Sequence, residues 1–170
     1  MPFLLLIYSS AWAKVDPPNY DFSLDKLDTF MPGKSLEDIQ KSYPDKKLKM
    51  THGAYKTYQF SVEHIRYKFP IFVQTKAGVV TDFFARLPAY FLHDIFHQSL
   101  INRYGDQDVY KKVEDQAYYL WKNEKGLKHI YYGACSITCF PVHYAVESTK
   151  DKHTGDYQTV FERMEKTKRP

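Results

Sequence analysis

The sequence predicts an α+β fold: two repeats, each a helix followed by three strands, forming one antiparallel sheet with the helices packed on one face. Three observations carry this. Apolar residues recur with the helical period of about 3.6 in two stretches, Leu36–Tyr43 and Leu92–Tyr104. A period of two governs the chain from Ala54 to Val73 and returns in later segments. Residues also recur at fixed offsets: Tyr43-Pro44-Asp45 matches Tyr104-Gly105-Asp106, and Tyr58-Gln59-Phe60 matches Tyr119-Leu120-Trp121, both at 61.

The N-terminus reads as an export signal. Phe3 to Ile7 form an apolar run, and Ala11-Trp12-Ala13 offers small residues where a signal peptidase cleaves. No Lys or Arg precedes the run, so residues 1–13 read as a truncated signal peptide. The run is too short to span a bilayer. Residues 14–33 are expected to be irregular, with Pro17-Pro18 and Pro32-Gly33 as breakers.

Residues 34–165 then form one α+β domain, with repeat one at 34–88 and repeat two at 89–165. Ser35-Leu36-Glu37-Asp38 is a capping-box start, and Pro44 ends the helix. Strands follow around Tyr58–Val62 and Ile65–Val73. Lys76-Ala77-Gly78 makes a hairpin turn into a strand over Val79–Leu87. The second helix runs from about Ala89 to Tyr104, with Gly105 just past its end. Strands are expected at Val113–Trp121, Lys128–Cys135, Thr138–Ser148 and Tyr157–Met164. Further matches support the repeat: His64-Ile65 with His129-Ile130, Phe69-Pro70 with Phe140-Pro141, and Gly78, Phe84 and Arg86 with Gly155, Phe161 and Arg163. Lys46-Lys47-Leu48-Lys49 reads as a solvated loop, and 166–170 as a basic tail.

The net charge of +4 is spread along the chain, which does not suggest nucleic-acid binding. Cys135 and Cys139 are the two cysteines. In an oxidising compartment a structural disulfide ranks first, two buried thiols second and redox catalysis third. Four residues of extended strand span roughly 13 Å, whereas bridged Cα atoms lie roughly 4.4–6.8 Å apart. A bridge therefore requires a turn or bulge at Ser136-Ile137-Thr138.

Aromatic residues make up 17% of the chain, including 15 tyrosines. These are too many for every hydroxyl to find a buried partner, so some are expected at a binding surface. Tyr118, Tyr119, Trp121, Tyr131 and Tyr132 crowd two neighbouring strands and are the candidate binding face. Alternation sets Tyr119 and Trp121 on one side and Tyr118 and Leu120 on the other.

His93 and His97 stand at i and i+4, a spacing that can share a metal. A catalytic zinc needs three protein ligands, and no third follows from spacing, so histidines at the edge of the apolar stripe are the favoured reading. No nucleophile elbow and no phosphate-binding loop occur.

Gly33-Lys34-Ser35 ahead of a short helix, Tyr43-Pro44 and Tyr104-Gly105 at the helix ends, and the turn Lys76-Ala77-Gly78-Val79-Val80 together carry a resemblance. The chain resembles the small exported fold shared by β-lactamase inhibitory proteins and the SmpA/OmlA outer-membrane assembly lipoproteins. The resemblance covers 30–87 best, and 92–164 through the repeat. It implies a two-unit protein like the inhibitory proteins, which bind another protein across a concave, aromatic-rich sheet. No Cys follows Ala13, so the lipobox of the lipoproteins is missing. No inhibitory residue has a counterpart here.

The expected function is a soluble, periplasmic or secreted binding module without cofactor or catalysis. It would bind or inhibit a protein partner through the aromatic sheet face, with neither nucleic-acid binding nor stable membrane insertion. One alternative is a small-ligand or envelope-component binder with a pocket between helices and sheet. Another is a metal-dependent enzyme using His93 and His97.

Overall fold

A computed structural model describes residues 24–64, 67–87, 93–113, 116–134, 142–150 and 157–166. The signal segment and the Cys135/Cys139 pair lie outside these residues. The elements in chain order are α1 (24–28), α2 (Leu36–Ser42), β1 (Lys46–His52), β2 (Tyr55–His64), β3 (Tyr67–Lys76), β4 (Val79–Leu87) and α3 (His93–Tyr104). They continue with β5 (Val109–Val113), β6 (Gln116–Glu124), β7 (Leu127–Ala134), β8 (Val142–Ser148) and α4 (Val160–Lys166). All eight strands join one open antiparallel sheet in the order β1-β2-β3-β4-β8-β7-β6-β5.

The α+β class and the antiparallel sheet match the expectation from sequence. Ser35 caps α2, its hydroxyl accepting from the Glu37 and Asp38 amides. Ala77-Gly78 forms the two-residue β3–β4 turn, both residues at positive φ as a type I′ hairpin turn requires. Gly105 closes α3 at φ +78°, donating its amide to the Ile101 carbonyl.

Four expectations need correction. Among the described residues there are eight strands, four after each of α2 and α3 rather than three per repeat, because each of these helices is followed by an additional edge strand, β1 or β5. The Lys46–Lys49 run is therefore strand, not loop. Lysines on an edge discourage pairing with another chain, and Lys111 and Lys112 occupy the opposite edge strand.

Second, the expected last strand at Tyr157–Met164 is instead the start of α4. Thr159 and Glu162 form a reciprocal capping box: the Thr159 amide donates to Glu162 Oε2 at 3.1 Å, and the Glu162 amide donates to Thr159 Oγ1 at 3.2 Å. Third, the segment expected to be irregular contains α1, and Leu24, Leu27 and Phe30 are fully buried. Fourth, the offset of 61 equates matching elements, α2 with α3 and β2 with β6. The offsets of 65 and 77 do not, since they set β2 against β7 and β4 against α4, and the match to Phe140-Pro141 lies outside the described residues.

Two apolar clusters sit on opposite faces, as strand alternation requires. The first joins Leu24, Leu27, Phe30, Ile39, Phe96 and Leu100 from the α1–α3 regions to Phe60, Ile71, Phe83, Trp121, Tyr131 and Tyr144 of the sheet. The second joins Val160 of α4 to Phe84, Ile130 and Ala145, with Phe72, Tyr118, Leu120 and Met164 half-buried around it. The helices thus do not all share one face: α4 contributes to the second. The central strands β4 and β8 are buried along nearly their whole length, because both their faces are covered.

Candidate ligand-binding site

The five aromatic candidates divide between the two faces. Tyr119, Trp121 and Tyr131 belong to the first cluster and are buried. The α3 helix lies over them: Phe96 meets Tyr131 at 5.2 Å between ring centroids, and His97 meets Tyr119 at 4.0 Å. The Trp121 indole donates to the Gly105 carbonyl at 2.8 Å, which ties β6 to the end of α3. These three offer no open binding surface. Tyr118 and Tyr132 are cross-strand partners on the second face and remain half-buried.

Among the described residues no group of three metal-ligating side chains occurs. His97 Nε2 is hydrogen-bonded to Gln107 Oε1 at 3.1 Å. The His93 side chain lies outside the description.

Among the deeply buried titratable groups that the sequence did not single out for chemistry, His129 and Asp82 lie on opposite faces. His129 stacks on Tyr104 at 4.1 Å between centroids, and its Nδ1 lies 2.7 Å from the Tyr144 hydroxyl. Its Nε2 has no hydrogen-bond partner among the described residues. Burial pushes its pKa down to about 4, so the ring is neutral at pH 7.

Asp82 faces the other way, beneath the start of α4, and is 1% exposed. Its Oδ2 accepts from Gln74 Nε2 at 2.8 Å, Thr81 Oγ1 at 2.9 Å and the Tyr157 hydroxyl at 3.0 Å. Its Oδ1 accepts from the Val160 amide at 2.7 Å. Burial raises its pKa to about 6, against these four hydrogen bonds, which lower it. The carboxylate is fully engaged in fixing the approach to α4. Gln74 Nε2 strengthens that link by donating also to the Gln158 carbonyl at 2.9 Å.

Anchored this way, α4 leaves a pocket between itself and the β1–β4 half of the sheet. Its volume is about 460 Å³, within the roughly 300–1,000 Å³ typical of small-molecule sites. Met50 of β1, Phe72 of β3, and Val160 and Met164 of α4 supply apolar wall, and Thr57 and Gln59 of β2 complete the floor. Lys49, Arg86 and Arg163 also line it, with no acidic side chain among the described lining residues. Arg163 is 8% exposed, its Nε donating to the Gln158 carbonyl at 3.1 Å. Arg86 Nε is buried without a hydrogen-bond partner among the described residues.

The lining offers apolar contact and positive charge. Among its described residues, Thr57 supplies the one hydroxyl and no carboxylate or imidazole stands beside it. The site draws on four strands and a helix more than seventy residues away in sequence, so no local spacing could have announced it. The Thr159–Glu162 capping box was the one legible clue, because it places α4.

No protein family, curated protein or solved structure matches the chain.

Proposed function

We propose that the chain is an exported binding module whose ligand occupies the pocket between α4 and strands β1–β4. The observation that carries this reading is the pocket itself: ligand-sized, largely apolar, and fitted with a few polar groups that can orient an occupant. Burial of Tyr119, Trp121 and Tyr131 favours it over the aromatic-sheet reading, since most of those aromatics serve the core. Export is supported by the apolar run and Ala11-Trp12-Ala13, and is compatible with a Cys135–Cys139 bridge. The element order helix, four strands, helix, four strands supports a tandem duplication, with the two units meeting at β4 and β8.

A neutral fluorescent probe for apolar sites, N-phenyl-1-naphthylamine, tests the reading. The wild-type protein is expected to bind it saturably. Gln59→Trp, which sets a bulky side chain into the pocket from β2, is expected to abolish binding while the melting temperature holds. A wild-type protein that fails to bind the probe, or a variant that binds it equally well, would refute the reading.

A second reading keeps a protein partner on the β6–β7 part of the same face. It is favoured by the half-buried Tyr118–Tyr132 pair and by Val113, which is 68% exposed. A partner held there would be indifferent to Gln59→Trp.

A further inference from the structure

We propose that the pocket takes an acidic amphiphile, a single acyl chain ending in a carboxylate. The head group is held by Arg86 and Arg163, and the chain lies on Met50, Phe72 and Met164. The inference rests on the pocket reading above and names the class of ligand.

Charge is the first argument. Lys49, Arg86 and Arg163 line a cavity whose remaining described wall is apolar apart from Thr57 and Gln59, and no carboxylate is among the described lining residues. A lining with one sign of charge attracts an anionic head group over a neutral or cationic one. An acidic head group would gain charge-assisted hydrogen bonds there.

The second argument is the shape of the donors. Arg86 and Arg163 both line the pocket. A guanidinium presents its donors in a planar fork that matches a carboxylate. Arg163 is oriented from the helix side by its bond to the Gln158 carbonyl, and its Nη1 lies 3.9 Å from Met50 Sδ, where charged and apolar lining meet.

The third argument is the apolar wall. An inorganic anion would satisfy the guanidinium groups and leave Met50, Phe72 and Met164 uncovered. An uncharged chain would cover them and make no use of the basic lining. An acyl chain with an acidic head meets both requirements, and Lys49 at the exposed rim adds attraction for the approaching anion.

Displacement of N-phenyl-1-naphthylamine by competitors sharing one chain length tests this. Decanoate is expected to displace the probe at concentrations about tenfold or more below 1-decanol, the scale of one charge-assisted contact. Decyltrimethylammonium should be weakest, and inorganic phosphate should not compete. Arg86→Met should bring decanoate to the level of decanol, whereas Lys112→Gln on the far edge strand should keep the preference.

Equal displacement by decanoate and decanol in the wild-type protein would overturn the inference while leaving the pocket reading intact. So would a preference that survives Arg86→Met. Effective competition by phosphate would replace the amphiphile with a simple anion site. Failure of the wild-type protein to bind the neutral probe would overturn both readings. The wild-type comparison does not depend on any variant folding.

Discussion

Beneath α3, on the first face of the sheet, Trp121, Tyr131 and Tyr144 are wholly buried, with Phe96 packed on the Tyr131 and Tyr144 rings and His97 on the Trp121 ring. Beneath α4, on the second face, Phe72 and Met164 stay half-buried, and charged side chains share the space with them. The same strands present both faces, so the difference lies in what covers them. Three helical segments contribute apolar side chains to the first cluster. A single seven-residue helix contributes to the second. So short a helix is not stable alone, and its position depends on the capping box and the buried Asp82 link. A close-packed face leaves no space for a ligand; a face covered by one tethered helix does.

The largest expected effect is on the first face. Trp121→Ala should lower stability by about 3–5 kcal/mol, as for other large-to-small changes in a packed core. Phe72→Ala, on the second face, should cost roughly 1–2 kcal/mol, since less area leaves water there. Chemical denaturation measures both. Equal losses would mean that the two faces are packed alike.

The buried titratable groups sharpen the contrast, because they act with opposite sign. Asp82 has a folded pKa of about 6, above its ordinary value of 3.8. The folded state therefore holds a proton that the unfolded state has lost, and this contribution to stability falls as pH rises from about 4 to 6. His129 has a folded pKa of about 4, below its ordinary 6.5. The unfolded state takes up the proton first, so this contribution is lost as pH falls from about 6.5 to 4. Each gap corresponds to something on the order of 3 kcal/mol. The two largely cancel in the wild-type protein. Asp82→Asn should leave a stability that climbs with pH across this window, and His129→Phe one that declines. Denaturation midpoints between pH 4 and 7 decide the matter, and unchanged slopes in both variants would contradict the assignment.

Smaller effects test the covers themselves. Thr159→Ala removes the capping hydroxyl of α4 and should cost about 1 kcal/mol, with faster amide exchange confined to that helix. Arg103 of α3 pairs with Asp25 at 2.6 Å and Asp28 at 3.3 Å in the α1 region. Because both carboxylates are well exposed, Arg103→Ala should cost less than about 1 kcal/mol, and less again at high salt.

The parts of this architecture that were legible in the sequence are those where local chemistry and tertiary role agree. Ser35 caps α2, the Ala77-Gly78 turn leads into β4, and Gly105 closes α3. The edge strands were hidden because protective lysines make an edge resemble a loop: β1 and β5 have no buried apolar stripe to supply a period. The α4 helix was hidden by a competing pattern. Tyr157, Thr159, Phe161 and Arg163 alternate like a strand, while the Thr159–Glu162 capping box marks a helix start. Alternation separated Tyr119 and Trp121 from Tyr118, yet which side is covered depends on helix placement. The pocket was out of reach for the same reason, since Arg86 and Arg163 line one cavity only once α4 is placed against the sheet.

Hydrogen exchange with and without saturating decanoate tests the central claim most directly, because it reads both faces in one experiment. The account predicts added protection in α4 and in β2–β4, with α3 and β6 unchanged. Protection centred on α3 and β6, or none anywhere, would contradict the assignment of the binding site to the face under α4.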